Sequence, residues 1–331
     1  MREIDELIIN KAVICIMDKN GKEPVIPTAE TVLTEGNYEY FVKHLLRCFA
    51  DEDARPATFN EGPNMLKDML DEMLEGEEHF VSNCGKISRL MHRAISNEEK
   101  EPSGDLAVLE FECKRGKFIA LMKLNFSEGF CHILSDEDGK VSIGIERNTV
   151  VLPGPGQKIQ HVMVYGGEKE VFVYDRDMDG WFVRGFGRMI PGRDERTNLK
   201  AVRKAVETFA RKAFDEDPIE AESFRRKVGE RLRTDDFFDV QSVANMCIES
   251  PEKQEIFTQT IQSAGIQENR IKIDKEWAEK KMQRKRLKMD KDIDLYIDVD
   301  AYNDKERFKI TNNGDGTVDI VLKNIKNFTE K

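Results

Sequence analysis

The spacing of apolar residues changes period four times along this 331-residue chain, and the order of those changes constrains its fold more than any single motif. Leu7 to Met17 (LIINKAVICIM) is rich in β-branched residues and precedes Asn20-Gly21, a hairpin signal, and a second short strand at Pro24 to Pro27. From Thr34 the spacing becomes helical, with Tyr38, Phe41, Val42, Leu45, Leu46 and Phe49 on one face, and Met65, Leu66, Met69, Leu70, Met73 and Leu74 repeating it. A third helix is expected from about Glu77 to Ile95, ending in the polar loop Ser96 to Gly104.

The pattern then turns to β: Leu106 to Cys113, Phe118 to Leu124, Val141 to Leu152, His161 to Tyr165, Glu170 to Asp175 and Trp181 to Phe186. Turns at Arg115-Gly116, Asp138-Gly139, Gly166-Gly167 and Asp179-Gly180 make this an antiparallel meander. Helical spacing returns at Asn198 to Phe214, Pro218 to Leu232, Val240 to Ile248 and Pro251 to Ala264, followed by a charged helix from Asp274 to Met289. The end is β again, with Leu295 to Val299, Arg307 to Thr311 and Thr317 to Leu322 around an Asn313-Gly314-Asp315-Gly316 turn, a hairpin or three-stranded ribbon. The expected fold is therefore α+β: an antiparallel β-meander with N-terminal helices, then a mainly helical C-terminal region closed by a β-hairpin. Pro191-Gly192 marks the boundary, giving an α+β domain over 1–190 and a mainly helical, basic domain over 191–331.

No run of 18 apolar residues occurs, and Arg2, Glu3, Asp5 and Glu6 stand where a signal peptide would carry a basic start and an apolar middle, so neither a membrane nor an exported protein is expected. Six scattered cysteines without a CxxC pair fit a reducing cytoplasm.

The net charge of -11 argues against a polyanionic partner until its distribution is examined. Thr34 to Glu112 carries 18 acidic against 8 basic residues, whereas Arg184 to Ala213 has 9 basic against 3 acidic and Arg270 to Lys291 has 10 against 4. With screening acting over about 8 to 10 Å, such patches can hold a phosphate backbone while the acidic half points elsewhere. On the helix near Asn198 to Phe214, Leu199, Val202, Val206, Phe209 and Ala213 share one face, while Lys200, Arg203, Lys204 and Arg211 cluster opposite, with Arg196 just before the start. Cations in a row neutralise phosphates without reading sequence; a solvated helix face would look the same. The second stretch is denser, with Lys280, Lys281, Arg284, Lys285, Arg286, Lys288 and Lys291, one turn beyond Trp277. Pairing of that helix with the acidic half is the alternative. A third cluster, Arg225, Arg226, Lys227, Arg231 and Arg233, adds to the same argument.

Catalytic constellations are sparse. Asp105, Glu112 and Lys114 follow the order of a nuclease metal site, in which two carboxylates hold Mg²⁺ and a lysine steadies the attacking water, although alternation on a half-exposed strand produces E-x-K by itself. Asp175, Asp177, Asp179 and Gly180 copy the first half of a calcium loop, but position twelve is Phe186, so a hairpin turn is expected. Pro153 to Lys158 lacks the GxxxxGK[ST] spacing of a phosphate loop. His44, His79, His92, His132 and His161 show no metal-ligand spacing and are read as surface or half-buried residues. No cofactor, metal or catalytic residue is expected.

Three stretches taken together are similar to the bacterial 37-kDa nucleoid-associated protein family: IDELIINKAVICIMD with PTAETVL, GDLAVLEFECKRGKFIALMKL, and LYIDVDAYNDKERFKITNNGDGTVDIVLKNIKNF. The resemblance spans nearly the whole chain and implies a non-enzymatic, cytoplasmic, nucleoid-located, oligomeric protein that binds double-stranded DNA; a homodimer is the expected assembly. It assigns no contact residues, which rest on charge alone. Two other readings stay open: an interaction or scaffold protein, with a possible part in phage defence, whose basic helices dock on acidic protein surfaces, and a Mg-dependent nuclease.

Overall fold

The computed structural model describes residues 4, 6–137, 140–215, 217–290, 292–315 and 317–327. Its backbone divides into two compact units, Met1–Gly192 and Arg193–Lys331.

The first unit is built on a sheet whose members are β1 (Ile8–Met17), β2 (Ala54–Phe59), β3 (Gly104–Cys113), β4 (Gly116–Asn125), β7 (His161–Gly166), β8 (Glu170–Asp175) and β9 (Met189–Pro191). The order is β1-β3-β4-β7-β8-β2-β9, with every pair antiparallel. β3, β4, β7 and β8 are the expected meander. Val108 and Leu121 point to one face, Leu109 and Ala120 to the other, and both faces are buried, which is why these strands read as continuous apolar runs. On one face lie α2 (Met65–Glu75) and α3 (Phe80–Ser96), contributing Leu66, Leu70, Phe80, Ile87 and Met91; on the other lies α1 (Glu35–Ala50), contributing Phe41, Leu45 and Phe49. Thr34 caps α1 in a reciprocal box with Asn37, which is why the helical period begins there. Between β7 and β8, Gly167 takes φ +57°, and a side chain there would meet the Phe118 ring at 2.9 Å.

Four features depart from the pattern read in the sequence. The opening hairpin reduces to a single bridge between Ile16 and Val25, because β1 pairs along its length with β3. Ala54–Phe59, which has no alternating pattern, is a strand held by β8 and β9. Trp181–Phe186 is a wide helical turn, not a strand: Gly187 N–H reaches back five residues to the Phe182 carbonyl at 2.9 Å. The acidic loop before it therefore does not close a hairpin. The fourth concerns β6 (Lys140–Val151), which pairs with an unanticipated β5 (Ser127–Glu137) in a two-stranded sheet of its own. The Asp138-Gly139 turn lies outside the described residues.

The second unit gathers α4 (Glu195–Ala213), α5 (Pro218–Thr234), α6 (Val240–Cys247) and α7 (Pro251–Ser263) around Phe209, Phe224 and Phe257, whose rings meet edge to face. Asp194, Asp217, Asp239 and Ser250 each cap one of these helices through a side-chain oxygen. Short strands β10 (Phe237–Asp239) and β11 (Arg270–Lys272) pair antiparallel, and neither was expected. The charged helix is half as long as its pattern suggested. α8 (Lys275–Met282) stops at Gln283, and the chain continues as β12 (Arg284–Met289), paired with β13 (Ile293–Asp298). After α9 (Val299–Asn303), β14 (Phe308–Asn312) and β15 (Val318–Leu322) form the closing hairpin. Its turn runs through Gly316, outside the described residues, as is Lys291. Among the described residues, no helix is long and apolar enough to cross a membrane.

Candidate nucleic-acid interface

The apolar stripe of α4 (Leu199, Val202, Val206, Phe209) is buried in the second unit, which forces the remaining face outward. At about 100° per residue, Arg196, Lys200, Arg203, Lys204, Glu207 and Arg211 fall within one sector of that face. Lys200, Arg203, Lys204 and Arg211 are exposed; Arg196 is half-buried and donates to Asp274, the N-cap of α8. The Arg203 guanidinium lies 5.8 Å from the centre of the Trp277 ring. These two contacts tie the start of α8 to the cationic stripe, and Lys280 and Lys281 are exposed one turn beyond Trp277. Glu207 is the one carboxylate in the stripe, and α5 answers it with Arg225, which grips it through two hydrogen bonds of 2.8 and 3.0 Å.

The β12 cations stand in a different setting. Strand alternation splits them: Arg284, Arg286 and Lys288 are exposed, while Lys285 is on the other side. The register sets Arg284 opposite Asp298 and Lys288 opposite Asp294, and Arg286 bonds Asp294 at 2.8 Å while lying 5.4 Å from the Tyr296 ring. Three cations thus share their face with two carboxylates. Lys285 packs 3.8 Å from the centre of the Tyr302 ring and 3.8 Å from Glu222, with Arg226 over the same ring at 4.8 Å. Burial pushes the Lys285 ammonium down to about 8, aided by the Arg226 and Arg225 charges and opposed by Glu222. Burial also raises the Glu222 carboxyl. The third cluster is likewise engaged in part: Arg231 pairs with Asp235 at 3.2 Å and Arg233 with Asp300 at 3.3 Å.

The nuclease constellation does not assemble. Asp105 and Glu112 are seven residues apart on β3, so they point to opposite faces, roughly 23 Å apart along the strand. Asp105 is buried, which alone pushes its carboxyl up to about 6, while Glu112 and Lys114 are exposed. The buried charges nearby satisfy one another. Fully buried Lys123 donates to Glu101 at 2.7 Å, the Pro102 carbonyl at 2.9 Å and Asn125; His161 sits between Asp175 at 2.9 Å and the same Glu101 at 3.1 Å; the Trp181 indole donates to Glu101 at 3.2 Å. Burial works to raise Glu101, but the His161 bond and the charges of His161 and Lys123 outweigh it and hold the carboxyl at about 2. Burial works to lower His161, and its two carboxylates outweigh it to raise the imidazole. This cluster holds the sheet to the Trp181–Phe186 turn. Histidine spacing gave no sign of it, and His44, His92 and His161 are buried rather than superficial. In the Pro153 to Lys158 loop, Gly154 N–H bonds Gln157 and Lys158 pairs with Asp51 at 2.6 Å. Among the described residues, no group of three His, Cys, Asp or Glu is placed to hold a metal ion.

A family model described as nucleoid-associated protein YejK matches residues 13–329, across both units. No curated protein matches the chain.

Proposed function

The chain belongs to the family of nucleoid-associated protein YejK, and from that premise we propose that it binds double-stranded DNA in the bacterial nucleoid, as a cytoplasmic homodimer, through phosphate contacts that carry little sequence information and no catalytic step. The observation that supports this most is the joining of two sequence-distant basic segments into one flank: Lys200, Arg203, Lys204 and Arg211 from α4, Lys280 and Lys281 from α8. Arginine and lysine on a helix face bind the sugar-phosphate edge of a duplex without entering a groove, so the affinity is electrostatic. The β12 residues Arg284, Arg286 and Lys288 add little, since their own strand partner competes with phosphate.

Salt titration tests the reading. Six phosphates neutralised by those six side chains give a slope of log K against log[salt] near about -5 on duplex DNA. A slope close to zero, or no binding at about 50 mM salt, overturns it.

A further inference from the structure

We propose that the β5–β6 hairpin is a dimerisation arm, whose apolar face packs against the same face of a second copy of this chain about a twofold axis. The inference rests on the homodimer reading above and supplies the surface that makes it. Strand alternation and the β5–β6 register sort the side chains into two faces. One carries Phe130, His132, Leu134, Asp136, Val141, Ile143, Ile145 and Arg147; the other carries Cys131, Ile133, Ser135, Ser142, Gly144, Glu146 and Asn148. Five of the first set are large, apolar and open: Phe130 is 76% exposed, Leu134 71%, Val141 65%, Ile143 69% and Ile145 73%. Leu134 stands directly opposite Ile143, so the patch is contiguous.

An amphipathic ribbon with its apolar side in water is out of keeping with the rest of the unit, where both faces of the seven-stranded sheet are covered. A two-stranded hairpin is marginal by itself and gains stability when a face is packed. The open patch is on the order of 500 Å², near the upper limit for a monomer's surface, and its polar rim brings it towards the ~800 Å² per partner of a standard interface.

The charges on this face select the occupant. Arg147 sits at the base of the arm, held by Glu128, and Asp136 sits towards the tip. About a twofold through the middle of the patch, the tip of one arm lies over the base of the other, so the Asp136 end of each arm meets the Arg147 end of the second copy. This self-complementarity is what an isologous interface requires. Two carboxylates against one arginine give neither DNA nor an anionic membrane anything to hold.

The test is the mass in solution of the full chain, by light scattering at about 20 µM, for wild type and for Ile143→Asp with Ile145→Asp. The expected result is twice the 38.2 kDa chain mass for wild type and a single chain mass for the variant, with an unchanged melt. A variant that stays dimeric overturns the arm while leaving the dimer reading standing; a monomeric wild type overturns both. Should the variant fail to fold, cross-linking decides: in a Cys131→Ser background a bismaleimide whose span exceeds the ~10 Å between packed sheets links His132→Cys between chains and does not link Ser142→Cys, on the other face. Absence of the His132→Cys cross-link, or equal cross-linking at both positions, overturns the proposal.

Discussion

The two basic stretches have the same excess of positive charge in the sequence, yet they differ in what their backbone does with it. On α4 the helical period collects Arg196, Lys200, Arg203, Lys204 and Arg211 in one sector whose own carboxylate, Glu207, is held by Arg225, while Arg196 pairs with Asp274 of α8. On β12 the twofold period divides four cations between two faces, turns Lys285 onto Tyr302, and sets the other three across from Asp294 and Asp298. A run of cations becomes a patch only when the secondary structure keeps it on one side and the neighbouring element does not answer it. The units differ in the same sense: residues 1–192 carry 34 acidic against 23 basic residues, whereas 193–331 carry 29 of each, so the α4 flank belongs to a unit of zero net charge.

This contrast can be broken by measurement. The largest effect is expected from Lys204→Glu, Arg211→Glu and Lys280→Glu together, which lowers duplex affinity on the order of 100-fold at about 100 mM salt and flattens the salt slope by about 3; an unchanged affinity removes the α4 flank from the interface. Next comes Asp294→Asn with Asp298→Asn. Releasing Arg284, Arg286 and Lys288 from their strand partner raises affinity by roughly 5-fold in the same titration, and no gain means the ribbon points away from DNA. Arg284→Ala with Lys288→Ala in the wild-type background costs less than about 3-fold; a loss as large as that of the α4 variant reverses the ranking.

The smallest effect is on stability and concerns Lys285. Its folded value, about 8, lies below the ordinary 10.5 of lysine. The unfolded chain therefore holds this proton more tightly, and the folded state is penalised while Lys285 is charged. That penalty falls away as pH rises from about 8 to about 10.5, so stability gains from this group in that window. Lys285→Met has no such titration. Thermal melts at pH 7 and pH 9.5 are expected to show the difference between wild type and variant moving in favour of wild type at the higher pH; a constant difference means that Lys285 is not desolvated.

Much of the fold was legible because local and tertiary demands agreed. Thr34, Asp217 and Ser250 begin helices where a side-chain oxygen can reach a free N–H, and Gly166-Gly167 turns where no other residue fits, although α4 starts at the Asp194 cap, ahead of the Asn198 its pattern suggested. Where the two demands diverged, the local signal misled. Trp277 to Met289 satisfies a helical composition, but beyond Met282 the apolar partners are Leu287 and Met289, at a spacing of two that suits pairing with Leu295 and Ile293. Ala54–Phe59 has no pattern of its own and becomes a strand because β8 and β9 offer it backbone partners.

By itself the sequence determined the α+β class, the order of elements and the cationic face of α4, since period and capping act within one turn or one strand. Only the tertiary structure decided which charges act together. It joined α8 to α4 through Arg203 and Trp277, neutralised β12 through β13, buried Glu101, Asp175, His161 and Lys123 as one balanced cluster, and left the apolar face of β5–β6 open. Each of these depends on what a distant segment places within a few ångströms, where Coulomb energy and desolvation become large enough to outweigh local preference.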